Sequence, residues 1–110
     1  MNEHQHQCAF FKWFRAQYPG VLAFAIPNAA KRGPRLASMM KAEGMLAGMP
    51  DLMIADGKPG LFIEMKEPSK GKVQDSQKVI IGRLAVAGYK VAICYGWEQA
   101  KEATESYLSK

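Results

Sequence analysis

At 110 residues, with 48% hydrophobic and 23% charged, the chain is long enough to bury one core, too short for a second module, and unlike a disordered protein in composition. A formal net charge of +5 and a pI near 9.3 suit a polyanionic partner, although the same balance also serves plain solubility. No apolar run approaches the roughly 18 residues of a membrane span and residues 1–6 are too polar for a secretory signal, so the expectation is a single cytoplasmic domain over residues 1–110.

Residues 2–18 are predicted as a helix, with Phe10, Trp13 and Phe14 at the spacings of one apolar stripe and Pro19-Gly20 as its stop. Stepping that stripe backwards through Gln7 reaches Glu3, which can face inward or can simply be a solvated acid favouring the helix dipole. His4 and His6 alternate and are read as surface histidines. Cys8 and Cys94 lack a CxxC partner, so two reduced, packed thiols are expected and a structural zinc is not.

Residues 21–26 form a short apolar run between Pro19-Gly20 and Pro27-Asn28, the first expected strand. A loop follows, from Asn28 through Lys31, Arg32 and Gly33 to Arg35, whose cations can contact phosphates or can merely be solvated. Pro34 suits the first turn of a helix over 34–43, stopped by Gly44, with Leu36, Met39, Met40 and Met45 expected as its buried face.

The stretch 48–66 concentrates the chemistry. Gly48-Met49-Pro50 leads into a strand over 51–55, a polar turn follows, and a second strand covers 61–65. A turn centred near Lys58 makes the numbers of paired residues sum to about 116, and a shift of one residue either way sets Asp51 opposite Glu64 or Lys66. Glu64 and Lys66 share one face; Ile63 and Met65 share the other. Two carboxylates and the Met65 carbonyl supply oxygen ligands for a divalent metal such as Mg²⁺, and Lys66 beside them can orient a nucleophile and stabilise developing charge. The bland alternative is a cross-strand ion pair on a hairpin surface.

A loop with Lys70 and Lys72 follows, another possible phosphate contact. Next comes a helix over 75–87 with Ile80 or Ile81 and Leu84 facing inward, and Gln77 on that same side by spacing, where it most simply caps a core edge. A strand over 89–95 and a helix over 97–108, with Trp97, Ala100, Thr104, Tyr107 and Leu108 in one stripe, complete an αβαββαβα order.

Pro50-Asp51 followed by Glu64-Met65-Lys66, behind a helix carrying Glu3, resembles the PD-(D/E)xK nuclease superfamily. Gly48-Met49-Pro50-Asp51, Ile26-Pro27-Asn28 and Ser76-Gln77-Lys78 ahead of Gly88-Tyr89 are similar to its VRR-NUC (virus-type replication-repair nuclease) family, over nearly the whole chain. The resemblance implies a restriction-endonuclease-like fold, a mixed four-stranded sheet flanked by helices. It also implies a Mg²⁺- or Mn²⁺-dependent DNA endonuclease in which Asp51, Glu64 and Met65 bind metal, Lys66 is the catalytic lysine, and Glu3 and Gln77 complete the site. Asn28, Lys31, Arg32, Arg35, Lys70 and Lys72 are the expected DNA contacts. Small stand-alone phage-type members imply a homodimer acting on branched DNA such as four-way junctions, in the host cytoplasm if phage-encoded. Phe11 and Trp13 offer one dimer surface. The strand end Val91-Ala92-Ile93-Cys94 departs from the arginine-containing ending of many members. The main rival is a basic DNA-binding module that does not cut; a second is an interaction protein with no nucleic-acid role.

Overall fold

The computed structural model describes residues 1–28, 32–57 and 59–109. Its elements run α1 (Glu3–Gln17), β1 (Leu22–Ala25), α2 (Pro34–Ala42), β2 (Leu52–Ala55), β3 (Leu61–Lys66), α3 (Asp75–Val86), β4 (Lys90–Tyr95) and α4 (Trp97–Leu108), the predicted order. The four strands lie in sequence order in one mixed sheet. β1–β2 and β2–β3 are antiparallel, and β3–β4 is parallel, its two strands joined through the α3 crossover.

α1 and α4 cover one face. Phe10, Phe11 and Phe14 of α1 pack with Ala100 and Tyr107 of α4 over Leu52, Ile54, Leu61, Ile63, Met65 and Cys94 of the sheet. The start of α1 is fixed locally: Asn2 and Gln5 exchange side-chain and backbone hydrogen bonds at 2.8 Å each, a capping box. The buried Thr104 hydroxyl donates to the Ala100 carbonyl at 2.8 Å, so it enters the core without an orphaned donor. α3 lies on the other face, over β4, with Ile80 as its buried residue.

Four expectations are corrected. His6 is buried, not a surface residue: it lies four before Phe10, on the stripe that continues to Phe14, and its Nδ1 accepts the Trp97 N–H at 3.1 Å. That contact caps α4, whose N-cap Gly96 has no side chain to do so. Cys8 is exposed, with Sγ 3.5 Å from His4 Nε2, whereas Cys94 is buried as expected. Leu36 and Met39 are exposed and Met40 and Met45 only half-buried, because α2 packs against no other element among the described residues and its apolar stripe has nothing to face. Phe11, expected with Trp13 on a second face of α1, is buried, while Trp13 is half-buried against the core edge.

Candidate active site

The β2–β3 ladder settles the register. Leu52 pairs with Ile63, Met53 with Phe62 and Ile54 with Leu61, so paired numbers sum to 115. One step further, that register sets Asp51 opposite Glu64. Asp51 sits where β2 leaves the ladder and is held from three sides. Its N–H donates to the Ile63 carbonyl at 3.0 Å, its carbonyl accepts the Ile26 N–H at 2.8 Å, and its Oδ2 accepts the Met65 N–H at 2.7 Å. A strand residue turns its N–H and C=O to the same edge. The Met65 carbonyl therefore points toward Asp51, past the end of the β2 ladder.

Glu64 and Lys66 alternate with Ile63 and Met65 and project from the opposite face, toward α3. Both are almost fully buried, at 2% and 6% exposure. Gln77, in the first turn of α3, joins them: its Nε2 donates to Glu64 Oε2 at 2.7 Å, and its Oε1 accepts from Lys66 Nζ at 2.9 Å. Lys66 Nζ also stands 3.2 Å from Glu64 Oε2, closing a triangle. The same Oε1 accepts the Gln74 N–H at 2.8 Å. Only one amide orientation fits, since the reverse would set NH₂ against an ammonium and an oxygen against a carboxylate.

Two glycines allow these parts to meet. Gly48 has φ +90°, and a Cβ there would stand 2.5 Å from the Ser76 carbonyl, so the segment ahead of Asp51 presses directly on the turn that carries Gln77. A Cβ at Gly71 would stand 2.6 Å from Lys66 Cβ, so the loop after β3 closes over the lysine.

Burial pushes the Glu64 carboxyl up to about 7; the Asp51 charge adds to this, the Lys66 ammonium opposes it, and Glu3 contributes a smaller upward push. Glu3, half-buried in the first turn of α1, thus belongs to the same electrostatic cluster although it lies far away in sequence. Carboxylates that disfavour one another's charge suit a divalent cation, and the donors here are hard oxygens of the kind Mg²⁺ takes. Among the described residues, no group of three His, Cys, Asp or Glu side chains forms a metal cage. The fitting set is two carboxylates, the Met65 carbonyl and solvent, as Mg²⁺ retains several waters.

The expected DNA contacts divide. Asn28 and Arg32 line, with Glu3 and Asp51, a groove of about 890 Å³ between α1 and the segment after β1. Arg35, at the start of α2, and Lys70 and Lys72, in the loop after β3, are exposed outside it. Lys31 lies outside the described residues. The α1 wall of the groove, including Lys12 and Arg15, was not singled out in the sequence because it carries no motif; only its recurrence on one side of the helix marks it.

A mixed sheet with an aspartate at the start of one strand and Glu-Met-Lys at the end of its neighbour defines a PD-(D/E)xK-type nuclease core. The model of the VRR-NUC domain matches residues 1–98, and the chain belongs to that family, whose members are nucleases acting on DNA. A solved structure described as a VRR_NUC domain protein is similar in fold, with a TM-score of 0.83 at 23% identity, covering 99% of this chain and 89% of its own. No curated protein matches the sequence. No helix among the described residues is long and apolar enough to cross a membrane.

Proposed function

We propose that this domain is a divalent-metal-dependent endonuclease that hydrolyses DNA phosphodiester bonds at the cluster of Glu3, Asp51, Glu64, Lys66 and Gln77. The observation that carries this reading is the buried Glu64–Lys66–Gln77 triangle beside Asp51, an ionic arrangement that a purely structural strand has no reason to bury. Asp51, Glu64 and the Met65 carbonyl would hold Mg²⁺ or Mn²⁺, and Glu3 adds negative charge at the edge. Such a cation, when bound, would supply Lewis acidity toward the phosphate and ease deprotonation of water.

Lys66 holds a fixed cation beside the carboxylates, where it orients the attacking water and offsets charge building on the phosphate oxygens. Gln77 occupies two of its approaches, to Lys66 and to Glu64, and so fixes the direction of the ammonium. In the reaction a water oxygen bonds to phosphorus, the bond from phosphorus to the leaving ester oxygen breaks, the water's proton passes to solvent, and the leaving oxygen takes a proton back.

Action on branched DNA by a homodimer is part of the same proposal. One chain offers one such cluster, and cutting two strands symmetrically needs two copies about a two-fold axis. The exposed Leu36 and Met39 on α2, unused within the fold, give that pairing an apolar surface. Reduced Cys8 and Cys94 suit the cytoplasm, that of the host for a phage-encoded protein.

The test is incubation of the purified protein with matched linear duplex, flap and four-way-junction DNA, each with and without Mn²⁺. Metal-dependent cutting is expected, fastest on the junction. Binding without cutting of any substrate would favour the non-catalytic basic module instead, and equal cutting of all three would remove the branched-DNA reading alone.

A further inference from the structure

We propose that the groove between α1 and the segment following β1 seats the phosphate backbone of one DNA strand, gripped away from the reacting centre by Lys12 and Arg15. The inference rests on the nuclease reading for where the groove leads.

At one end of the groove lie Glu3 and Asp51, the only carboxylates among its described lining residues. The rest of its charged lining, Lys12, Arg15 and Arg32, is cationic. Lys12 and Arg15 share one side of α1 with Cys8, at steps of four and three residues. Arg15 is also held in place: its guanidinium lies 5.1 Å from the centre of the Phe11 ring, and Phe11 itself lines the groove.

The simplest competing account is that cations near the C-terminus of α1 only offset the helix dipole. That account explains Arg15, in the last turn, and gives no reason for cations on both walls of one groove that ends at acidic residues. From Glu3 to Arg15 the helix rises about 18 Å, at 1.5 Å per residue. A duplex strand rises about 3.4 Å per nucleotide along its axis and winds as it rises, so this length covers several phosphates and no more than about five. A strand whose reacting phosphate lies at Asp51 therefore reaches Lys12 and Arg15 several nucleotides away. No base-reading group is implied; cations on a backbone give affinity without sequence preference.

Cys8, exposed on the groove wall, is a built-in reporter. Cys94 is buried, its thiol pushed up to about 11, and stays silent to mild alkylation. In EDTA, where no cutting occurs, binding of a labelled junction or duplex is followed by anisotropy while iodoacetamide labelling of Cys8 is followed by mass spectrometry. Saturating DNA is expected to slow Cys8 labelling at least tenfold. Lys12→Glu with Arg15→Glu, folded by circular dichroism, is expected to weaken binding by about 10- to 100-fold and to reduce the salt slope of binding by about 2.

DNA that binds by anisotropy yet leaves Cys8 labelling at the free rate overturns the groove, and it does so with the unmodified protein. Protection of Cys8 by bound DNA, in a protein that cuts nothing with Mn²⁺, upholds the groove and removes the nuclease reading. Cutting without protection removes the groove and leaves the nuclease.

Discussion

The two faces of β3 are equally dry and chemically opposite. Ile63 and Met65, at 0% exposure, meet the aromatic side chains of α1 and α4; Glu64 and Lys66, at 2% and 6%, meet one glutamine. The first face is stabilised by hydrocarbon burial. The second must overcome the desolvation of two charges, which a pair of well-packed apolar residues would avoid. Such a pair is tolerated only where its buried polar atoms find partners. Gln77 supplies one such partner to each of the two charges on this face.

Substitutions on the two faces are therefore expected to separate activity from stability. Lys66→Ala should lower metal-dependent DNA cleavage by about 10²- to 10³-fold, as loss of a fixed charge-stabilising donor does, with the circular dichroism spectrum retained. Across the strand, Ile63→Ala should lower unfolding free energy by ~2–5 kcal/mol in a urea titration. Its cleavage rate per folded molecule should stay near the parent's. Should Ile63→Ala abolish cleavage while folded, or Lys66→Ala leave it intact, the division between the faces fails.

Gln77→Ala removes the bridge and leaves both charges, and a loss of about 10- to 100-fold in cleavage is expected, as for other groups that orient metal-binding residues. Gln77→Glu instead adds a charge beside Glu64, which should move the rise of activity to higher pH.

A pH experiment sharpens the comparison further. The folded protein holds the Glu64 proton up to about pH 7, whereas the unfolded chain releases it near 4.5. Between those values the folded state binds more protons, so this group's contribution to stability is present at low pH and is lost as pH rises to about 7. Metal-free thermal melts should show that decline in the parent and lack it in Glu64→Gln, and Mg²⁺ should raise the parent's melting temperature more at pH 8 than at pH 5. The smallest effect belongs to α2. Leu36→Ser with Met39→Ser should change unfolding free energy by no more than ~0.5 kcal/mol, the range of surface positions, while light scattering reports a shift from dimer to monomer.

The order of all eight elements was legible in the sequence because each is bounded by a strong local signal: Pro19-Gly20, Pro34, Gly44, Gly88 and Gly96 fall at or beside helix and strand ends. Asp51, Glu64 and Lys66 were legible as a group because strand alternation and a hairpin are local geometry. Their exact register was not, since a one-residue change in the turn gives another ladder. The place of His6 was not legible, because its alternation with His4 signals a surface pair and only tertiary structure brings the Trp97 N–H to its ring. The exposure of the α2 methionines was not legible either: helical periodicity says which side chains share a face, but not whether anything lies opposite. Glu3 and Gln77 stood between these cases. Spacing put them on inward faces, and only the assembled fold shows Gln77 bridging Glu64 and Lys66 and the Glu3 charge acting on Glu64.

The spread of the cluster from Glu3 to Gln77 bears on how the protein is synthesised. A chain still on the ribosome presents Asp51, Glu64 and Lys66 before Gln77 has been translated, with no amide to join the carboxylate to the ammonium. Even then β3 has one bare edge until β4, ending at Tyr95, lies alongside it. β3 thus gains its second neighbour, and its buried charges their amide bridge, only late in synthesis.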